Sequence, residues 1–277
     1  MSSRCIVVGE VSEDLSREIA SRFVDRCYIP IPIRFADWLE PLASKRVLEV
    51  AGSVARASRE LLARDWVIEG LGPLERFRSL IDIYESSISI TVPGPLTLAS
   101  MIEYRGSKLV ENPHRASAVI PLARSIVEAC SRARVSRIVV WEKAACSLCS
   151  EAGARQGYSW WFVAEALSYV LEPQPASCIY LGPCLNHLAY RAALEAGARC
   201  IAVKGVRALR SLIDELGGYV DSDLEILLDP RPLQGAESLR LGIGARVGIC
   251  IETSSTEEVL RELARLDRLK SFVISLS

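Results

Sequence analysis

The feature that most constrains this chain is an alternation. Short apolar runs rich in β-branched residues recur along its 277 residues, separated by longer stretches with helical periodicity. Strands are expected near Ile6–Val8, Ile88–Val92, Arg137–Trp141, Cys178–Leu181, Cys200–Val203, Leu224–Leu228, Arg246–Cys250 and Ser271–Ile274. Most of these runs are continuously apolar, which fits parallel strands covered on both faces. Amphipathic helices are expected over Pro121–Arg134, Trp160–Leu171, Leu185–Ala196 and Thr256–Leu266. Eight strands with crossover helices in about 250 residues describe an α/β fold, a single (β/α)8 TIM barrel. An open doubly wound sheet is the alternative, but no Gly-x-Gly-x-x-Gly follows the first strand.

One region breaks the rhythm. Residues 27–85 are too many for one crossover and are expected as an insertion or arm between strands 1 and 2. Within it, CYIPIPIRF and VLEVAG read as two extra strands or as arms over the barrel mouth. With no repeat and no low-complexity linker, one domain over 1–277 is the simplest organisation.

Bulk composition excludes some classes. Half the residues are hydrophobic, enough for one substantial core. A net charge of -1 gives no field to draw in nucleic acid or an acidic membrane surface. No apolar run approaches ~18 residues, so no membrane span is expected. The start, MSSRCIVVGE, enters a strand without an apolar signal region, so a cytoplasmic location is expected. The 28 Arg against 5 Lys, with 2 Asn and 3 Gln, fit a thermophilic protein, and equally a bias toward Arg codons. Nine cysteines are many for a cytosolic chain, and the odd count leaves at least one outside any disulfide.

Four segments carry a family resemblance. GIGARVGICIETSSTEE (242–258) resembles the seventh strand-loop-helix unit of the cobalamin-independent methionine synthase family, which shares a barrel superfamily with uroporphyrinogen decarboxylase. ITVPGPLTLAS (90–100) resembles that family's strand followed by Gly-Pro-x-Thr. RIVVWEKAA (137–145) resembles its Gln-Ile-Asp-Glu-Pro-Ala strand end. IYLGPCLNHLAYRAALEAGARCIAVKG (179–205) resembles its zinc-binding strand, the helix after it and the next strand. Together they span roughly the last two thirds of the chain.

The resemblance implies a methyltransferase fold of methionine and one-carbon metabolism, but not the family's reaction. Its zinc ligands fall at Tyr180, Gly182 and Lys204, and the last lies beyond the chain's end. Its catalytic His falls at Ile249, and the Asp of that segment at Val247. Of a substrate-holding Asp-Glu pair only Glu142 remains, beside Trp141. Tyr180-Leu181-Gly182 is similar to the Tyr-Phe-Gly of the family's zinc-free accessory barrel. The chain is therefore expected to be a zinc-free barrel that binds a small molecule (an amino acid, a folate or another methyl carrier) or partners a catalytic methionine synthase barrel.

Two alternatives stay open. Cys146-x-x-Cys149 and Cys184-x-x-His187 should occupy neighbouring loops, with the ligand types and spacing of a relocated zinc site and an active methyltransferase. A Cys146–Cys149 disulfide, or thiols packed as small apolar groups, explains the same residues. A metal-free decarboxylase-like enzyme would need arginines at the mouth, and Arg231 is the clear candidate. For the mouth itself, Lys143 and Lys204 could hold an anionic group, or could pair with Glu142 or Asp229. Glu10, Glu142, Asp229 and Glu252 could make it acidic, and Thr97, Tyr180 and Cys250 complete the expected lining. His114 and Trp160-Trp161 read as helix starts.

Overall fold

The computed structural model describes residues 4–51, 54–174, 176–216, 224–229, 246–253 and 255–266. Eight parallel strands form a (β/α)8 barrel. In chain order they are β1 (Ile6–Val8), β2 (Ile29–Pro30), β5 (Ile88–Pro93), β8 (Arg137–Trp141), β9 (Cys178–Tyr180), β10 (Cys200–Lys204), β11 (Glu225–Asp229) and β12 (Arg246–Glu252). From β2 onward each pairs with the next, and β12 returns onto β1 with Ile6 opposite Cys250. Between β1 and β2 the ring closes through a parallel bridge at Cys5 and Cys27, which also form a disulfide.

The second barrel strand corrects the expectation for 27–85. That region begins with β2, whose Ile29 lies opposite Ile88 of β5, so its start belongs to the barrel wall. A strand of two residues ending in proline is too short to leave a periodic signature. Farther on lie β3 (Leu48–Ala51) and β4 (Val54–Ala57), an antiparallel hairpin. They join β6 (Ile102–Tyr104) and β7 (Ser107–Lys108) in a separate four-stranded sheet ordered β3-β4-β6-β7. The expected strand Ser271–Ile274 falls outside the described residues.

Helix starts follow local chemistry. Ser159 caps Trp160–Leu171 by accepting from the Phe162 amide, Asn186 caps His187–Glu195 through Leu188, and Ser255 caps Thr256–Ala264 through Glu258. No described helix is long and apolar enough to cross a membrane. The core has two compartments. A large layer between strands and helices holds residues such as Ile90, Val140, Ile179, Val203 and Ile249. The lumen holds Ile6, Val8, Val139, Cys178, Tyr180, Cys200, Ala202, Leu227 and Cys250, with Tyr28 and Trp141 against them. At its N-terminal end, Arg137 pairs with Glu225 at 2.8 Å and lies under the Tyr28 ring.

Candidate functional site

Strand pleating decides which side chains reach the mouth. Successive residues point to opposite faces. On β8 the lumen side receives Val139 and Trp141, and then Lys143 just past the strand. On β9 it receives Cys178 and Tyr180. On β12 it receives Cys250 and Glu252. These meet at the C-terminal ends of the strands, where barrel sites are built.

The centre is a shared carboxylate. Glu252 forms ion pairs with both Lys143 and Lys204, one on each oxygen. The Glu252 side chain is 9% exposed, whereas Lys143 and Lys204 are 37% and 32% exposed. The ammonium groups can therefore be reached from the mouth while their counter-ion is sunk beneath them. Burial by itself would raise the Glu252 carboxyl, but hydrogen bonds and charges from the two lysines outweigh it and hold it below the ordinary range. Asp229, opposite Lys204 in the register, accepts the Glu252 backbone N–H at 3.2 Å.

An aromatic wall stands beside this cluster. Trp141 and Tyr180 lie 4.7 Å apart between ring centroids, and Phe35 meets Trp141 edge-on at 6.0 Å. The Lys143 ammonium sits 4.2 Å over the Trp141 ring and 5.5 Å over Tyr180. Gly182 makes room for it: with φ +71, a Cβ there would come 2.9 Å from Lys143 Cε. Glu10 is exposed and accepts the Phe35 amide at 2.6 Å, so it fixes the turn that carries Phe35.

The Tyr180 hydroxyl is fully buried and makes no well-formed hydrogen bond among the described residues. Burial first, and then the charge of Glu252, push its phenol far above the ordinary range, so it keeps its proton. A ligand oxygen in the mouth could give this hydroxyl a well-formed hydrogen bond.

Two residues expected at the mouth lie elsewhere. Glu142 has the opposite parity to Trp141 and points away from the lumen, fully buried. Its carboxylate accepts the Leu96 amide at 2.8 Å and the Thr97 amide and hydroxyl at 3.0 Å each. Glu142 and Thr97 therefore lock the start of helix Pro95–Met101 to the end of β8. Gly94 is required there, since a Cβ would stand 2.5 Å from Glu142 Oε2. Burial pushes the Glu142 carboxyl up from 4.5 to about 7, against the lowering effect of these donors. Ile249 likewise packs between strands and helices, so the position compared with a catalytic His does not face the mouth. Arg231 falls outside the described residues.

The cysteines are partly joined. Cys146 is bonded to Cys184 and Cys178 to Cys200, which replaces the expected Cys146–Cys149 alternative with a bond from the short helix Ala144–Leu148 to the loop after β9. Cys149 is a buried free thiol, raised to about 12 by burial and then by the charge of Glu142. His187 is exposed at the first turn of its helix. Among the described residues no group of three or more His, Cys, Asp or Glu side chains is placed to hold a metal. Cys250 is buried, with its thiol toward the Val203 carbonyl at 4.0 Å.

Sequence reasoning left Trp141 and Phe35 out of the site and placed Glu252 only in a general acidic rim. Strand parity was the available signal: Trp141 and Lys143 are two apart, as are Cys250 and Glu252. Nothing local marks Phe35, which arrives from the segment after β2.

No family model matches the chain, and neither does any curated protein. Among solved structures, the chain is similar to oxaloacetate acetylhydrolase in complex with its product oxalate. That match has 12% identity and a TM-score of 0.40, and it covers 96% of this chain and 80% of that one.

Proposed function

We propose that this barrel binds a small carboxylate-bearing molecule at its C-terminal mouth, without a zinc-activated thiol, as a divergent methionine-synthase-like protein of methyl-transfer metabolism. The observation that carries the reading is the Lys143–Glu252–Lys204 bridge beside the Trp141 plate and the buried Tyr180 hydroxyl, which makes no well-formed hydrogen bond among the described residues. Two accessible ammonium groups over a buried counter-ion offer charge-assisted donors to an incoming carboxylate. Tyr180 and Lys204, where the resembled family carries zinc ligands, here supply a phenol and an ammonium instead. The similarity of Tyr180-Leu181-Gly182 to an accessory barrel supports the companion reading, a role beside a catalytic barrel.

Calorimetric titration with methionine, homocysteine, a methyl-folate and simple carboxylic acids tests the proposal. At least one should bind, and Lys143→Met should weaken it about 10- to 100-fold, as expected for one charge-assisted bond of ~1.5–3 kcal/mol. Binding untouched by Lys143→Met, or binding of none, overturns the mouth assignment. Zinc-dependent methyl transfer to homocysteine at roughly 1 per second or faster overturns the zinc-free reading.

A further inference from the structure

The two lysines of the mouth are not equivalent. Lys143 is held in place on several sides. Its stem packs on the bare face of Gly182, and its ammonium lies over two rings as well as on Glu252. Lys204 leaves the end of β10 with no ring over its nitrogen among the described contacts, and it pairs with the other oxygen of Glu252. The two amino nitrogens are therefore no more than about 8 Å apart, two hydrogen-bond lengths plus the width of a carboxylate.

That spacing suits a ligand with two adjacent functional groups, one anionic and one electrophilic. We propose that Lys204 condenses with the carbonyl carbon of a 2-oxo acid, while Lys143 holds its carboxylate and Tyr180 protonates the carbonyl oxygen. The inference rests on the mouth taking a small carboxylate, as proposed above, and adds covalent chemistry to it.

Each proton has a place. The Lys204 ammonium gives one proton to the Glu252 carboxylate it already touches, so no charge leaves the cluster. The freed lone pair forms the new C–N bond as the carbonyl π pair moves onto oxygen. That oxygen takes the phenolic proton of Tyr180, giving a carbinolamine. One of the two N–H protons of the adduct returns to the tyrosinate, and the other stays on nitrogen. Glu252 then returns its proton to the hydroxyl, which departs as water as the C=N bond forms. Ammonium plus carbonyl becomes protonated imine plus water, with Glu252 and Tyr180 restored and no oxidant or reductant needed. The buried Tyr180 hydroxyl, which makes no well-formed hydrogen bond among the described residues, is the independent observation, because a carbonyl oxygen above the lysines would give it an acceptor.

The test is reductive trapping on the full chain. The protein is incubated with glyoxylate, pyruvate or 2-oxoglutarate and treated with sodium borohydride, and intact mass and peptide mapping are read. The expected result is one reduced adduct per chain, on Lys204, for at least one of these acids. Lys204→Arg, which keeps a cation on Glu252, should give none. Lys143→Met should still label Lys204 but need at least tenfold more acid, and Tyr180→Phe should slow labelling at least tenfold. Calorimetry with lactate, which has the carboxylate but no carbonyl, reads docking separately. Lactate or 2-oxo acid binding that depends on Lys143 without any adduct on Lys204 overturns the imine and leaves the mouth assignment standing. Absence of both binding and trapping overturns both. Adducts scattered over other lysines and unchanged by Lys204→Arg also overturn the proposal.

Discussion

Replacing Glu142 with Gln tests whether a buried carboxyl is held neutral behind the barrel wall. In the native chain its two oxygens receive three donors from Leu96 and Thr97. A Gln amide keeps one oxygen for Thr97 but turns its NH2 toward the Leu96 amide or the reverse, leaving a buried donor unmatched at a cost of about 1–3 kcal/mol. The pH dependence discriminates further. The folded carboxyl is raised from 4.5 to about 7, so the native state holds this proton more tightly than the unfolded chain does. Its contribution is fully present below 4.5 and is lost as pH rises through about 7. At ~1.4 kcal/mol per pH unit, that loss approaches ~3 kcal/mol. Glu142→Gln carries no titrating group, so its deficit against the native chain should be largest near pH 5 and should close or reverse near pH 8. Guanidinium unfolding of both proteins at pH 5, 6, 7 and 8 reads the difference. A deficit that stays constant over that range refutes the reasoning, because it means the three donors keep the carboxylate ionised throughout.

Three other outcomes are expected. Cys146→Ser opens a bond that closes a separation of 38 residues and should cost about 3–4 kcal/mol by chain entropy; denaturation of the two proteins without reductant checks it, and a cost under ~1 kcal/mol would remove the bond's structural role. Gly182→Ala meets both a positive φ and the Lys143 stem, so it should destabilise by about 1–2 kcal/mol and also weaken carboxylate binding, with unchanged binding counting against the role given to Gly182. Elemental analysis of reduced, zinc-treated and dialysed protein should give well below one zinc per chain, whereas stoichiometric zinc that disappears in Cys149→Ser would restore the cysteine–histidine site.

Much of the barrel was legible in the chain, for a local reason. A parallel strand covered on both faces writes itself as an apolar run. Ile6–Val8 and Arg137–Trp141 appear at the expected bounds, and Glu225–Asp229 is displaced by one residue. Helix starts were legible too, since Ser or Asn at a cap satisfies amides within three residues of itself. Ile29–Pro30 escaped because a barrel strand needs only to complete its neighbours' hydrogen bonds, and two residues do that without any periodicity. The candidate site was legible as a set of chemical types at strand ends, and Lys143, Tyr180, Lys204 and Asp229 do gather at the C-terminal ends of their strands. What the linear order could not supply was direction and pairing. One step of strand parity turns Glu142 away to cap a helix and brings Trp141 inward. Strand neighbourhood, fixed only when the barrel closes, sets Glu252 of the last described strand between lysines 109 and 48 residues away. The same closure joins Cys146, in the short helix after β8, to Cys184, in the loop after β9, because a disulfide follows distance in space and the sequence records only spacing along the chain.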